Sequence, residues 1–154
     1  MINVFDNYLK STFSVDYWSD EGIGIAAEQV TKFTNNDWGQ LKIIIVDRDA
    51  DWLVRCAEVL GDIEHVKSIE ILLELINSKN IEVQISALDS MSSLLDNMHI
   101  EDSRIIELRN MLDQFSASSD VVQVMLEDIF LAFLPFSRLV CSFLSCVLCF
   151  QLCL

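Results

Sequence analysis

Proline and glycine are almost absent, with 1 Pro and 4 Gly in 154 residues. So few breakers exclude the turn-rich chain of a β-sandwich and leave helices joined by short turns. Positive charge is equally scarce: 10 Lys and Arg stand against 24 Asp and Glu, a formal charge of −14. Such a surface repels phosphate backbones and anionic lipid heads, which disfavours direct nucleic-acid binding. A basic partner would be steered towards it instead, although ordinary solubility accounts for the same composition. Histidine is limited to His65 and His99, both in predicted interhelical turns, where a solvated polar residue is expected rather than a general base. There is no Gly-rich phosphate loop and no His-x-x-x-His pair, so no catalytic residue and no enzymatic activity are expected. Met1 to Lys10 holds Asp6 and lacks the apolar run of a secretory signal. A cytoplasmic protein with reduced thiols is the expectation.

What is present is a hydrophobic fraction of 52% in a chain long enough for one domain with a core. The charge is unevenly placed. All 24 acids lie at or before Asp128, and the last 26 residues carry Arg138 as their one charge. Four cysteines, Cys141, Cys146, Cys149 and Cys153, sit in that tail. The division expected is a helical domain over 1–134 and an apolar, Cys-rich tail over 135–154.

The middle of the chain repeats. Trp38, Leu41, Ile44 and Ile45 fall at helical spacing behind an expected Asn36/Asp37 cap. After the turn Asp47 to Asp51, a second helix from Trp52 to Gly61 places Trp52, Cys56 and Leu60 on one face. Gly61 at its end suits a left-handed cap. The pattern returns 31 residues on: Leu72, Leu75 and Ile76 replace Leu41, Ile44 and Ile45, and Val83, Ala87 and Met91 replace Trp52, Cys56 and Leu60. A helix pair of this size cannot bury its apolar face alone and stacks on its neighbours. The regular repeat covers about 37–96. Upstream, Met1 to Leu9 and Ile23 to Phe33 form an expected degenerate pair, with Ile25, Ala26 and Val30 inward, across a linker holding Tyr17, Trp18 and Ser19. Downstream, Ser103 to Phe115 and Val121 to Leu134 form another.

The run WLVRCAEVLGDI, from Trp52 to Ile63, resembles the second helix of a HEAT repeat: an apolar anchor, Val54-Arg55, small residues, then Leu60-Gly61. The second copy departs from the pattern with Ser92 where Gly is common. The resemblance implies an all-α fold, a short HEAT-like α-solenoid of antiparallel helix pairs. HEAT architecture serves scaffolds, lyases acting on pigment proteins and a group of DNA glycosylases, so it fixes no function. The small size, acidity and short solenoid are also similar in general character to bacterial immunity proteins of contact-dependent inhibition systems.

Candidate chemistry is weighed residue by residue. Asp47, Asp49, Asp51 and Glu58 match EF-hand positions 1, 3, 5 and 12, but Trp52 stands where the loop needs Gly. Capping of the second helix by Asp49 or Asp51 is the better reading, and no metal or cofactor is expected. The tail cysteines follow the spacing of a plant-type iron–sulfur loop only in part and sit in an apolar run with no His. Cys56 is expected to be a buried, inert thiol. The tail itself stays open between a capping helix, a membrane anchor and a non-native extension. As a helix the last 26 residues, Ile129 to Leu154, would span about 39 Å, but Pro135 and Arg138 interrupt it.

The acids of the second helices are the candidate partner-binding residues. Glu58, Asp62, Glu82 and Asp89 alternate with buried positions and, with Asp47, Asp49 and Asp51, are expected to form one negative patch on the inner face. Tyr17 and Trp18, beside Asp20 and Glu21, are either an aromatic anchor for a partner or a staple closing the first pair. The expected function is binding of a basic protein, foremost a cognate, possibly nuclease toxin domain neutralised by an immunity protein. The alternative is a general scaffold or adaptor, membrane-tethered through its tail.

Overall fold

Polar caps divide the chain into helices. In the computed structural model, which describes residues 1–97 and 119–132, the elements are α1 (Ile2–Leu9), α2 (Val15–Tyr17), a π-helical turn (Trp18–Gly22), α3 (Ile23–Val30), α4 (Asn35–Ile44), a 3-10 turn (Ile45–Asp47), α5 (Ala50–Gly61), α6 (Val66–Ile76), α7 (Ile81–Asn97) and α8 (Asp120–Ala132). The chain is all-α, with no strand among the described residues. Ser14, Asp49, His65, Asn80 and Ser119 each accept a backbone N–H from the first turn that follows them. The predicted helix Ser103 to Phe115, His99 and the tail 135–154 lie outside the described residues.

Two expected caps are corrected. The cap of α4 is Thr34, not Asn36/Asp37: the Thr34 hydroxyl accepts the Asp37 N–H at 3.2 Å, and Asp37 Oδ2 takes the Thr34 N–H at 2.9 Å. Gly61 is not a left-handed cap, because no glycine has positive φ and α5 ends through Asp62 in right-handed geometry. Its lack of a side chain serves packing instead. A Cβ there would lie 3.0 Å from the Ser90 Cβ and 3.1 Å from its Cα, so α5 meets α7 more closely than a side chain ordinarily allows.

The core follows the 31-residue spacing. Trp38, Leu41, Ile45, Trp52, Cys56 and Leu60 are buried, as are Ile69, Leu72, Ile76, Val83, Ala87 and Met91. The most extensive packing is of α5 on α7, followed by α6 on α7 and α7 on α8; α3 packs on the π-helical turn, α1 and α5, and α5 on α6. The helices α3, α5, α7 and α8 therefore touch in series. At the other end Phe5 of α1, fully buried, meets Phe33 at 5.5 Å and Trp52 at 6.1 Å, both edge-on, and Phe33 meets Trp38 at 5.4 Å. Of the residues expected inward on α3, Ala26 and Val30 are buried but Ile25 is exposed; Ile23 takes the half-buried place. The expected linker at 17–19 is helical, because Ser14 caps α2 and the π turn carries it into α3.

Two carboxylates tie the first helix down. Asp37 Oδ1 accepts the Met1 ammonium and the Ile2 N–H, each at 3.0 Å, while Oδ2 holds Thr34. The bonds from Thr34, then those from Met1 and Ile2, hold this carboxyl well below the usual carboxylate range. Asp6 is raised by burial, but bonds from Arg48 and Lys10 outweigh that and leave it lowered; Arg48 reaches it bidentately at 2.8 and 2.9 Å. A depressed folded pKa gives stability that is complete above the unfolded value and is lost as pH falls through the folded one. The urea midpoint is therefore expected to fall steadily as pH drops below ~4. Asp37→Asn, which presents an amide donor to these donors, should lower the midpoint at neutral pH and flatten that acid slope.

Cys56 is fully buried, and burial pushes its thiol up. In the native protein Cys56 should stay unmodified by iodoacetamide at mildly alkaline pH and become labelled once urea unfolds the chain, as read by peptide mass mapping.

Candidate functional site

The spacing 51, 54/55, 58 puts Asp51, Val54, Arg55 and Glu58 on one side of α5. These residues, Glu82 from the first turn of α7, and Phe13 to Val15 with Trp18 line one groove of about 350 Å³. Three carboxylates thus face an aliphatic and aromatic wall. Trp18 is only 9% exposed and donates its indole N–H to Glu58 Oε2 at 2.6 Å. The Arg55 guanidinium lies over Phe13 at 5.2 Å and over Trp18 at 5.6 Å. Phe13 stacks on Tyr17 at 5.5 Å and meets Tyr8 at 5.0 Å. Burial, then the bond to Tyr17, pushes the Tyr8 phenol up to about 12, so it stays neutral through the physiological range.

Of the expected site residues, the groove brings together Asp51, Glu58, Glu82 and Trp18. Asp62 and Asp89 are exposed but do not line it. Asp47 ends the 3-10 turn, and Asp49 turns Oδ1 back onto the Trp52 N–H at 2.9 Å, so both stand apart from the groove. The cap thus takes the oxygen that an EF-hand would need, and Glu58 is turned to Trp18. Among the described residues no group of three His, Cys, Asp or Glu is placed to hold a metal ion. Asp20 and Glu21 are exposed on the π turn outside the groove. Trp18 packs closely on its own turn, where a Cβ on Gly22 would lie 2.6 Å from its ring. The exposed aromatic beside it is Tyr17.

A second groove, of about 400 Å³, opens between α4 and α6 over Trp38, which stacks on His65 at 5.1 Å. Its lysines are already paired, Lys42 with Glu74 and Lys67 with Glu70. No helix among the described residues is long and apolar enough to cross a membrane. No family model matches the chain, and neither a curated protein nor a solved structure is found to match it.

Sequence reasoning missed Phe13, Val15 and Arg55 as parts of the groove. Arg55 stood out only through its Val-Arg neighbourhood. Its carbonyl partners, 44 and 46 positions away, leave no local signal.

Proposed function

We propose that the chain is a protein-binding module, a short HEAT-like solenoid of antiparallel helix pairs whose acidic groove docks a basic protein. The most specific form of the reading is an immunity protein that neutralises a cognate toxin domain in the cytoplasm by direct binding. The observation that carries it is the convergence of Asp51, Glu58 and Glu82 on a groove with an apolar wall. Supporting the solenoid is the serial contact of α3, α5, α7 and α8, the second helices of successive expected pairs. Carboxylates around such a groove raise the rate of encounter with a basic surface and penalise acidic competitors.

Co-expression with a toxin domain, sought first in the adjacent gene, is the test. Restored growth and a stoichiometric complex are expected. Unrestored growth with no complex contradicts the immunity reading.

A further inference from the structure

Among the described residues Arg55 is the one basic side chain lining the acidic groove, and an unengaged guanidinium there would repel the basic partner proposed above. Its Nη1 and the plane of its guanidinium are instead engaged within the chain. Nη1 donates to the Leu9 carbonyl at 2.8 Å and to the Ser11 carbonyl at 2.7 Å. The same group covers Phe13 and Trp18. One turn further along α5, Glu58 accepts the Trp18 indole N–H. The stretch from Leu9 to Trp18 is therefore held against α5 at both its ends. This stretch carries Val15, 83% exposed, and the half-buried Phe13 into the wall facing the carboxylates.

We propose that Arg55 is a positioning residue for the docking groove, fixing Phe13 and Val15 as a wall that receives the stem of a lysine or arginine from a basic partner while Asp51 and Glu82 meet its charged head. Such side chains bury their methylenes along apolar surface and keep the head among polar groups, so a wall of this kind beside carboxylates suits them. The inference rests on the docking reading above. Arg55→Lys keeps the charge, but a compact ammonium on a flexible stem lacks the planar guanidinium that lies over two rings while one of its nitrogens holds both carbonyls.

The test titrates the full chain with an octa-lysine peptide at low ionic strength, followed by the Trp18 indole resonance and backbone amides. Arg55→Lys and the pair Asp51→Asn/Glu82→Gln should each weaken the peptide about tenfold, whereas Asp62→Asn/Asp89→Asn, removing equal charge outside the groove, should weaken it less than about threefold. Amide exchange at Tyr17 and Trp18 should quicken in Arg55→Lys. Val15→Lys, at an exposed position that spares the fold, should weaken the peptide more than Val124→Lys on exposed α8 surface. Wild-type affinity in Arg55→Lys, equal losses in the two double variants, or equal effects of the two added lysines would overturn the proposal. A toxin domain that fails to bind, with the peptide behaving as stated, sinks the immunity reading alone. A toxin complex indifferent to Arg55→Lys and Val15→Lys sinks the positioning role alone.

Discussion

Trp52→Ala should cost about 4 kcal/mol of folding stability, in the range found when a large buried aromatic is cut back to alanine. Trp52 is 1% exposed and meets Phe5 edge-on. The Arg48 guanidinium lies 5.6 Å from its ring, and its indole N–H points to the Asp6 carbonyl at 3.4 Å. Removing it empties the junction of α1 and α5 and deprives Arg48 of one of its two supports. A domain of this size is stable by roughly 5–15 kcal/mol, so the loss is a large fraction of the total. The thermal midpoint should drop by about 10 °C. Trp52→Phe keeps the packing edge and should cost about 1–1.5 kcal/mol. A Trp52→Ala variant as stable as the parent would remove this residue from the core.

Gly61→Leu is expected to be the second most damaging change. Its side chain would enter where the Ser90 Cα and Cβ already stand at 3.1 and 3.0 Å from a bare Cβ. A backbone atom cannot rotate aside, so α5 and α7 must separate along their broad interface. Overpacking of this kind costs about 1–3 kcal/mol and occasionally more. Gly39→Ala is the control, because nothing lies within 4 Å of a Cβ there. In a helix interior that change should stabilise by about 0.5–1 kcal/mol through propensity alone. Chemical denaturation of both variants checks the pair. Equal effects of the same sign would mean that the α5–α7 approach is looser than the distances imply.

What was legible in the sequence was periodic. Leu41, Cys56 and Leu60 and their partners 31 positions on are buried because a helix places every third or fourth residue on one face. Asp49 was readable as a cap because the cap and its N–H lie three residues apart. Gly61 was misread because glycine serves both caps and close packing, and only the position of Ser90 separates the two. Ile25 was placed inward because the period is short in α3 and leaves the face undetermined by one position. The groove was legible in half. Glu58 and Glu82 follow from helix faces and Asp51 from the turn expected ahead of Trp52, whereas the wall depends on contacts such as Trp18 with Glu58, 40 positions apart, that no local pattern encodes.

The central claim is that the groove's carboxylates draw in a basic partner. It is tested most directly by the association rate of the cognate toxin domain with the parent and with Asp51→Asn/Glu58→Gln/Glu82→Gln, at low and at physiological salt. Gln at 58 still accepts the Trp18 N–H, so the wall is kept. The parent should associate about tenfold faster or more at low salt, with the advantage shrinking as screening rises. Association rates that match at every salt concentration would contradict the account.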